Sequence, residues 1–346
     1  MWSQALADLP KVIARTLAKA LEGRSDAATI CLVSCFKLRS PTIMRLAMSP
    51  QRVGLLCAVG AVGLGLVYMT LAGAPLQYLG MNVAALAIGL VAFAATARFV
   101  RQAGHLPGVV TLALGTALLA TALFGISVEG ASRWIRLGSV VLQPSLIIVP
   151  FITVAFAQAR GPFAMAGLML AALALAIQPD RAMAGVLAAG LAALAIAKPD
   201  RWTVAASIVA VAAFGATVLR ADTLPAVPFV DQVFYTAFGV HALAGVAVLG
   251  GALLLLVPAL AGSLDQDRRE MHAVFGAVWL AVIAAAALGN YPTPLVGYGG
   301  SAILGYLLSL SLLSNAPGSD AKRARSLSNS EVDHAAEDNH DLRAFA

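Results

Sequence analysis

From Arg52 onward the chain alternates between long apolar runs and short polar breaks. A helix needs ~20 mainly apolar residues to cross the hydrocarbon layer of a bilayer, and run after run approaches that length. The pattern predicts ten membrane spans, at roughly 53–72, 80–97, 106–126, 139–157, 163–178, 182–197, 202–219, 232–257, 272–288 and 299–314. The sixth is the shortest, so it must tilt little or thin the bilayer around it. The predicted fold class is an all-α polytopic membrane bundle, with both termini on the inner side.

Charge tests that count independently. With the N-terminus inside, all but four of the 23 Lys and Arg fall in inner segments, the exceptions being Arg133, Arg136, Arg181 and Arg220. This is the asymmetry that the positive-inside rule requires, and dropping one span would scramble it. Composition agrees: 60% of residues are hydrophobic and 12% charged, far from a soluble domain. The formal charge of +6 is therefore a topology signal, and no nucleic-acid partner is expected.

Residues 1–50 differ in kind. Lys11, Arg15 and Lys19 share one helical face while Leu6, Leu9, Ile13, Leu17 and Leu21 fall largely on another. This predicts a basic amphipathic helix on an anionic inner leaflet. Met44 and Met48 stand just before the first span, so a later translation start is the competing reading of this extension. Residues 51–315 form the membrane domain. Residues 316–346 are polar and aperiodic, with the composition of a disordered tail. Cys31 and Cys35 lie one turn apart, but no further ligand completes a metal set, and they read as plain thiols.

The outer side carries few charges: Glu129, Arg133, Arg136, Asp180, Arg181, Arg220, Asp222 and Asp231. A charge at the bilayer centre costs ~3 kcal/mol or more on insertion scales, so these sit at the rim or face a polar hollow. The arginines suit a diphosphate, because the guanidinium fork matches phosphate oxygens; equally, they suit simple anchoring of span ends.

Three outer strings are specific in wording. Gly130–Ser145 reads GASRWIRLGSVVLQPS, with Trp134 suited to the interface and Pro144 placed to start or kink a helix. Ile177–Asp180 reads IQPD. Pro294–Leu308 reads PLVGYGGSAILGYLL, where the Gly299–Gly300 pair permits non-helical backbone. The order GA-x-RWI-x-LG…QPS, then QPD, then PLV-x-YGGS resembles the SEDS family (shape, elongation, division and sporulation), across residues 51–315.

That resemblance implies a ten-span, inverting peptidoglycan glycosyltransferase that joins lipid II into glycan strands in cell elongation or division, in the bacterial cytoplasmic membrane. It implies a partner transpeptidase (a penicillin-binding protein) with a single span, among other divisome or elongasome proteins. The family's catalytic aspartate falls on Asp231, within PFVDQVFYTAFG, as a base toward the acceptor sugar hydroxyl. Arg133, Trp134, Arg136, Arg220, Tyr298 and Ser301 would line the substrate, and Gln143, Pro144, Ser145, Pro179, Asp180, Gly299 and Gly300 would build the motif framework. The cofactor is unknown; a divalent cation at the diphosphate is one option.

The sequence also departs from the family. Leu146 and Val149 stand where Glu and Lys are usual, Arg181-Ala182-Met183 follows Asp180, and Gly239 and Val240 replace paired glutamates. The outer segment Arg220–Asp231 is short where the family has a long loop. These departures motivate a second reading, a scaffold that docks a transpeptidase without catalysis, and the outer basic groups motivate a third, a lipid flippase. His241, ten residues past Asp231, reads as packed or hydrogen-bonded within the bundle, and His272 as interfacial.

Overall fold

The computed structural model describes residues 49–103, 105–138, 140–220, 224–262 and 269–313. The proposed N-terminal amphipathic helix, the polar tail, Cys31, Cys35 and Asp222 lie outside them. The described residues form a helical membrane bundle whose helices are α1 (Pro50–Leu71), α2 (Leu76–Ala103), α3 (Gly108–Phe124), α4 (Pro144–Gln158), α5 (Pro162–Ile177), α6 (Arg181–Ala197) and α7 (Arg201–Val218). They continue with α8 (Val233–Val240), α9 (Ala242–Leu254), α10 (Val257–Gly262), α11 (Arg269–Leu288) and α12 (Gly300–Ser311). Five helical stretches are long and apolar enough to cross a bilayer by themselves, and five more are shorter apolar helices. The protein is a multi-pass membrane protein.

Helix ends follow the polar breaks. Pro144 and Pro162 open α4 and α5, where a missing N–H costs nothing. The two Pro-Asp-Arg strings behave alike: Asp180 caps α6 by accepting from the Met183 N–H, and Asp200 caps α7 in a reciprocal box with Thr203. Asp200 also pairs with Arg160 at 3.2 Å, and Lys198 with Glu270 at 3.2 Å, tying neighbouring helix ends together.

Small residues let helices approach closely. An added Cβ at Gly115 would collide with the Gly167 carbonyl oxygen, so α3 and α5 meet backbone to backbone. Around α4, buried on nearly every side, pack α6, α11 and α12.

Two elements differ from the sequence pattern. Between α3 and α4 lies a three-stranded antiparallel ribbon, β1 (Ile126–Val128), β2 (Ala131–Leu137) and β3 (Val140–Leu142). The fourth span therefore starts at Pro144 rather than 139, because β3 uses the intervening residues. Glu129 and Gly130 both take positive φ, 49° and 82°, in the two-residue turn joining β1 to β2, and Gly138 takes φ 63° in the next turn. The two glycines of the GA…LG string thus mark the two turns of the ribbon.

The second difference is the eighth span, which is not continuous. His241 adopts extended backbone (φ −166°, ψ 144°) between α8 and α9, and its Nδ1 accepts from the Leu243 N–H at 3.1 Å. It is exposed on the bundle surface, contrary to its expected packing inside. His272, expected at the interface, is buried against Gly262, where an added Cβ would collide with the imidazole.

Candidate active site at the outer ends of the helices

The three motif strings, far apart in sequence, converge on one buried polar knot. Asp180 is fully buried, and its Oδ2 accepts from the Ser145 hydroxyl at 2.7 Å and the Gln143 amide at 3.2 Å. Its Oδ1 accepts from the Met183 N–H at 3.2 Å. The Gln143 backbone N–H donates to the Ser301 hydroxyl at 2.9 Å, drawing the start of α12 into the same group. Asp180 thus has three donors inside the bundle, and together with the Gln143–Ser301 bond it ties the starts of α4, α6 and α12 to one another.

The ribbon divides the expected substrate residues. Alternation along β2 sends Arg133 inward and Trp134 and Arg136 to the opposite face. Arg133 is buried, and its guanidinium donates to the Pro179 carbonyl at 2.7 Å. Trp134 is half-buried and Arg136 exposed. Arg220 reaches the Ile177 carbonyl at 3.4 Å, while Arg181 donates to the Arg220 carbonyl at 2.6 Å. Arg133, Arg181 and Arg220 therefore gather around the turn that ends α5, where helix carbonyls carry partial negative charge.

Asp231 occupies a second group, held by the connection between α11 and α12. Residues 290–299 are non-helical, and Thr293 to Gly297 are buried. Asp231 bridges Pro292 in antiparallel fashion, the Thr293 N–H donates to the Val230 carbonyl at 2.8 Å, and the Tyr298 N–H to the Phe229 carbonyl at 2.6 Å. Non-helical backbone at such depth needs protein around it. Gly65 of α1 supplies some of that cover, since an added Cβ there would sit 2.6 Å from Val296 backbone atoms. Tyr298 stacks on Tyr78 at 4.0 Å between ring centroids, with Phe229 edge-on to Tyr78 at 6.1 Å. The non-helical backbone that the Gly299–Gly300 pair permits runs up to Gly299, and within it Leu295 takes a left-handed conformation, φ 60°. Gly300 opens α12 close to Ala85, whose Cβ an added Cβ would meet at 3.0 Å, and Gly299 is extended.

The Asp231 carboxylate is 8% exposed and accepts the Val227 N–H at 2.8 Å. Burial pushes its pKa above the ordinary aspartate value, with the Val227 hydrogen bond working in the opposite direction. Among the described residues no lysine or arginine pairs with it.

The two groups border a common cavity. Gln143, Leu146, Met183, Val282, Tyr291 and Pro292 are among its walls, and its volume is about 10 Å³. That is room for roughly one water molecule. Leu146 and Val149 are both buried in the apolar core, so the Glu and Lys positions of the family pattern are filled here by hydrocarbon.

No protein-family model and no curated protein matches the chain. Solved structures do. The crystal structure of the Rod shape determining protein RodA of Thermus thermophilus aligns over 75% of this chain and 94% of that one, at 22% identity and a TM-score of 0.55. An aspartate-to-alanine mutant of the same RodA aligns equally well, with 95% of its chain covered. The fold is SEDS-like. The RodA match rests on backbone shape and the three strings on side chains, and both point to one architecture. The sequence pattern did not point to Tyr78, Asn82 or residues 290–293, and it gave Phe229 and Leu295 no role of their own within the quoted strings. Only the lone polar residue inside an apolar run at Asn82 gave a signal.

Proposed function

We propose that the protein is an inverting glycosyltransferase that polymerises lipid II into peptidoglycan strands, with Asp231 as general base. The observation that carries this reading is the contrast between the two buried outer carboxylates. Asp180 is saturated by three donors, whereas Asp231 has one backbone donor, retains acceptor capacity, and is made more basic by burial. A base of this kind takes the proton from the acceptor 4-hydroxyl as that oxygen attacks the donor's anomeric carbon. The C–O bond to the polyprenyl diphosphate breaks in the same displacement, inverting the anomeric centre. Cationic side chains near the outer rim, Arg136 and Arg220 above all, are exposed and suited to the leaving diphosphate. Among the described residues no three His, Cys, Asp or Glu side chains gather, so a divalent cation at the diphosphate would draw most ligands from the phosphates and water.

In this reading the chain sits in a bacterial cytoplasmic membrane and works beside a single-span transpeptidase in elongation or division. The test is conversion of lipid II to glycan strands by the purified protein. One observation favours a second reading, a non-catalytic scaffold for the same transpeptidase: the cavity below Gln143 is nearly closed and apolar, with Leu146 in its wall. A protein that complements a deletion strain without polymerising lipid II would support the scaffold.

A further inference from the structure

Asn82 is a fully buried amide within the apolar run Leu79–Ala95 of helix α2. Burying an amide without partners costs a few kcal/mol, so its bonds explain its presence. Its Nδ2 donates to the Gly297 carbonyl at 2.9 Å and its Oδ1 accepts from the Gly299 N–H at 3.2 Å. One side chain thus clasps the backbone on both flanks of Tyr298. Tyr78, four residues earlier on the same helical face, stacks on the Tyr298 ring. Ala85 and Gly89, further along that face, meet Gly300 and Leu307. Helix α2 therefore grips the connection through ring, backbone and helix start together.

The grip leads to Asp231. The Tyr298 N–H bonds the Phe229 carbonyl, the Thr293 N–H bonds the Val230 carbonyl, and Asp231 bridges Pro292. Leu295 and Phe229 hold positive φ, 60° and 63°, conformations that persist for such side chains only when their surroundings fix them. We infer that Asn82 is a positioning residue: by clasping Gly297 and Gly299 it fixes the segment against which Phe229, Val230 and Asp231 are hydrogen-bonded, and so aims the base. This inference rests on the reading of Asp231 as the base.

The test uses the full chain in lipid nanodiscs with lipid II as substrate, comparing wild type, N82L, N82D and D231N. N82L is near-isosteric and removes both bonds; N82D keeps an acceptor for the Gly299 N–H and loses the donor. The expected result is kcat falling at least tenfold in N82L and less in N82D, with KM within twofold of wild type. Hydrogen exchange at residues 229–231 and 297–299 should quicken in the same order. A merely structural asparagine would lower Tm and the active fraction without this split between kcat and KM or this graded order. Wild-type kcat in N82L, beside an inactive D231N, overturns the inference and leaves the base assignment standing. Should N82L not fold, N82D decides alone, a wild-type kcat overturning the inference. An inactive wild type, or a D231N as active as wild type, removes the base assignment and this inference with it.

Discussion

The Ser145 hydroxyl donates to the Asp180 carboxylate at 2.7 Å across 35 residues of sequence, joining the QPS string to the QPD string inside the bundle. Two further donors, Gln143 and the Met183 N–H, complete the contact. Asp180→Ala would strand all three donors in a buried site. It should cost about 3 kcal/mol or more of stability, whereas Ser145→Ala should cost nearer 1 kcal/mol. Denaturant or thermal unfolding in one detergent checks the ranking; equal effects of the two substitutions would contradict it.

The ribbon depends on its turns. Gly130 and Gly138 have φ of 82° and 63°, where a Cβ is strained although nothing else crowds either position. Gly130→Val and Gly138→Val should each destabilise the ribbon by about 1–2 kcal/mol. Because Arg133 hangs from the same strand, both should loosen its bond to the Pro179 carbonyl, seen as faster exchange across 131–137.

Acid titration should single out Asp231. Its folded-state pKa lies above the ordinary carboxylate value because burial disfavours the anion. The folded state thus binds the proton more tightly than the unfolded chain does. That stabilising term is fully present below the unfolded pKa of about 3.9 and is lost as pH rises through the elevated folded value. The stability of wild type relative to Asp231→Asn should therefore fall with rising pH across that window. The acidic limb of kcat/KM should likewise lie above the range of an exposed aspartate, since the base must be ionised to act. A limb at or below that range would contradict the placement.

Leu146 and Val149 test the departure from the family pattern. Both side chains are buried in the apolar core, so Leu146→Glu alone should cost about 3 kcal/mol or more. Adding Val149→Lys, one helical turn away, should recover part of that loss, and a double-mutant cycle measures the coupling. Strict additivity of the two losses would contradict a shared site.

The helical bundle was readable because a run of apolar residues has few alternatives in lipid. Helix starts at Pro144, Arg181 and Arg201 fall within a few residues of expectation, or later where the ribbon intervenes. The ribbon itself escaped notice. Its strands are three to seven residues long and apolar enough to merge into the flanking spans. Glu129-Gly130 and Gly138, bracketing the alternation of Ser132 to Leu137, were the available signal. The interruption at His241 left no mark on hydropathy, because Phe238 to Leu243 stay mostly apolar on both sides of it. Likewise, the strings named the residues of the Asp180 knot without revealing that they meet. Proximity across the bundle depends on helix packing, which no single-chain period encodes. Asn82 shows the limit most clearly: a buried amide amid apolar neighbours gains meaning only once Gly297 and Gly299 are beside it.

The most direct measurement is the initial rate of lipid II polymerisation by purified wild type and Asp231→Asn, each verified by thermal melt to be folded. Wild type should build glycan strands, and the substitution should slow the rate by about a hundredfold or more, as expected when a general base is lost. Equal rates in the two proteins, or no polymer from wild type, would contradict the account.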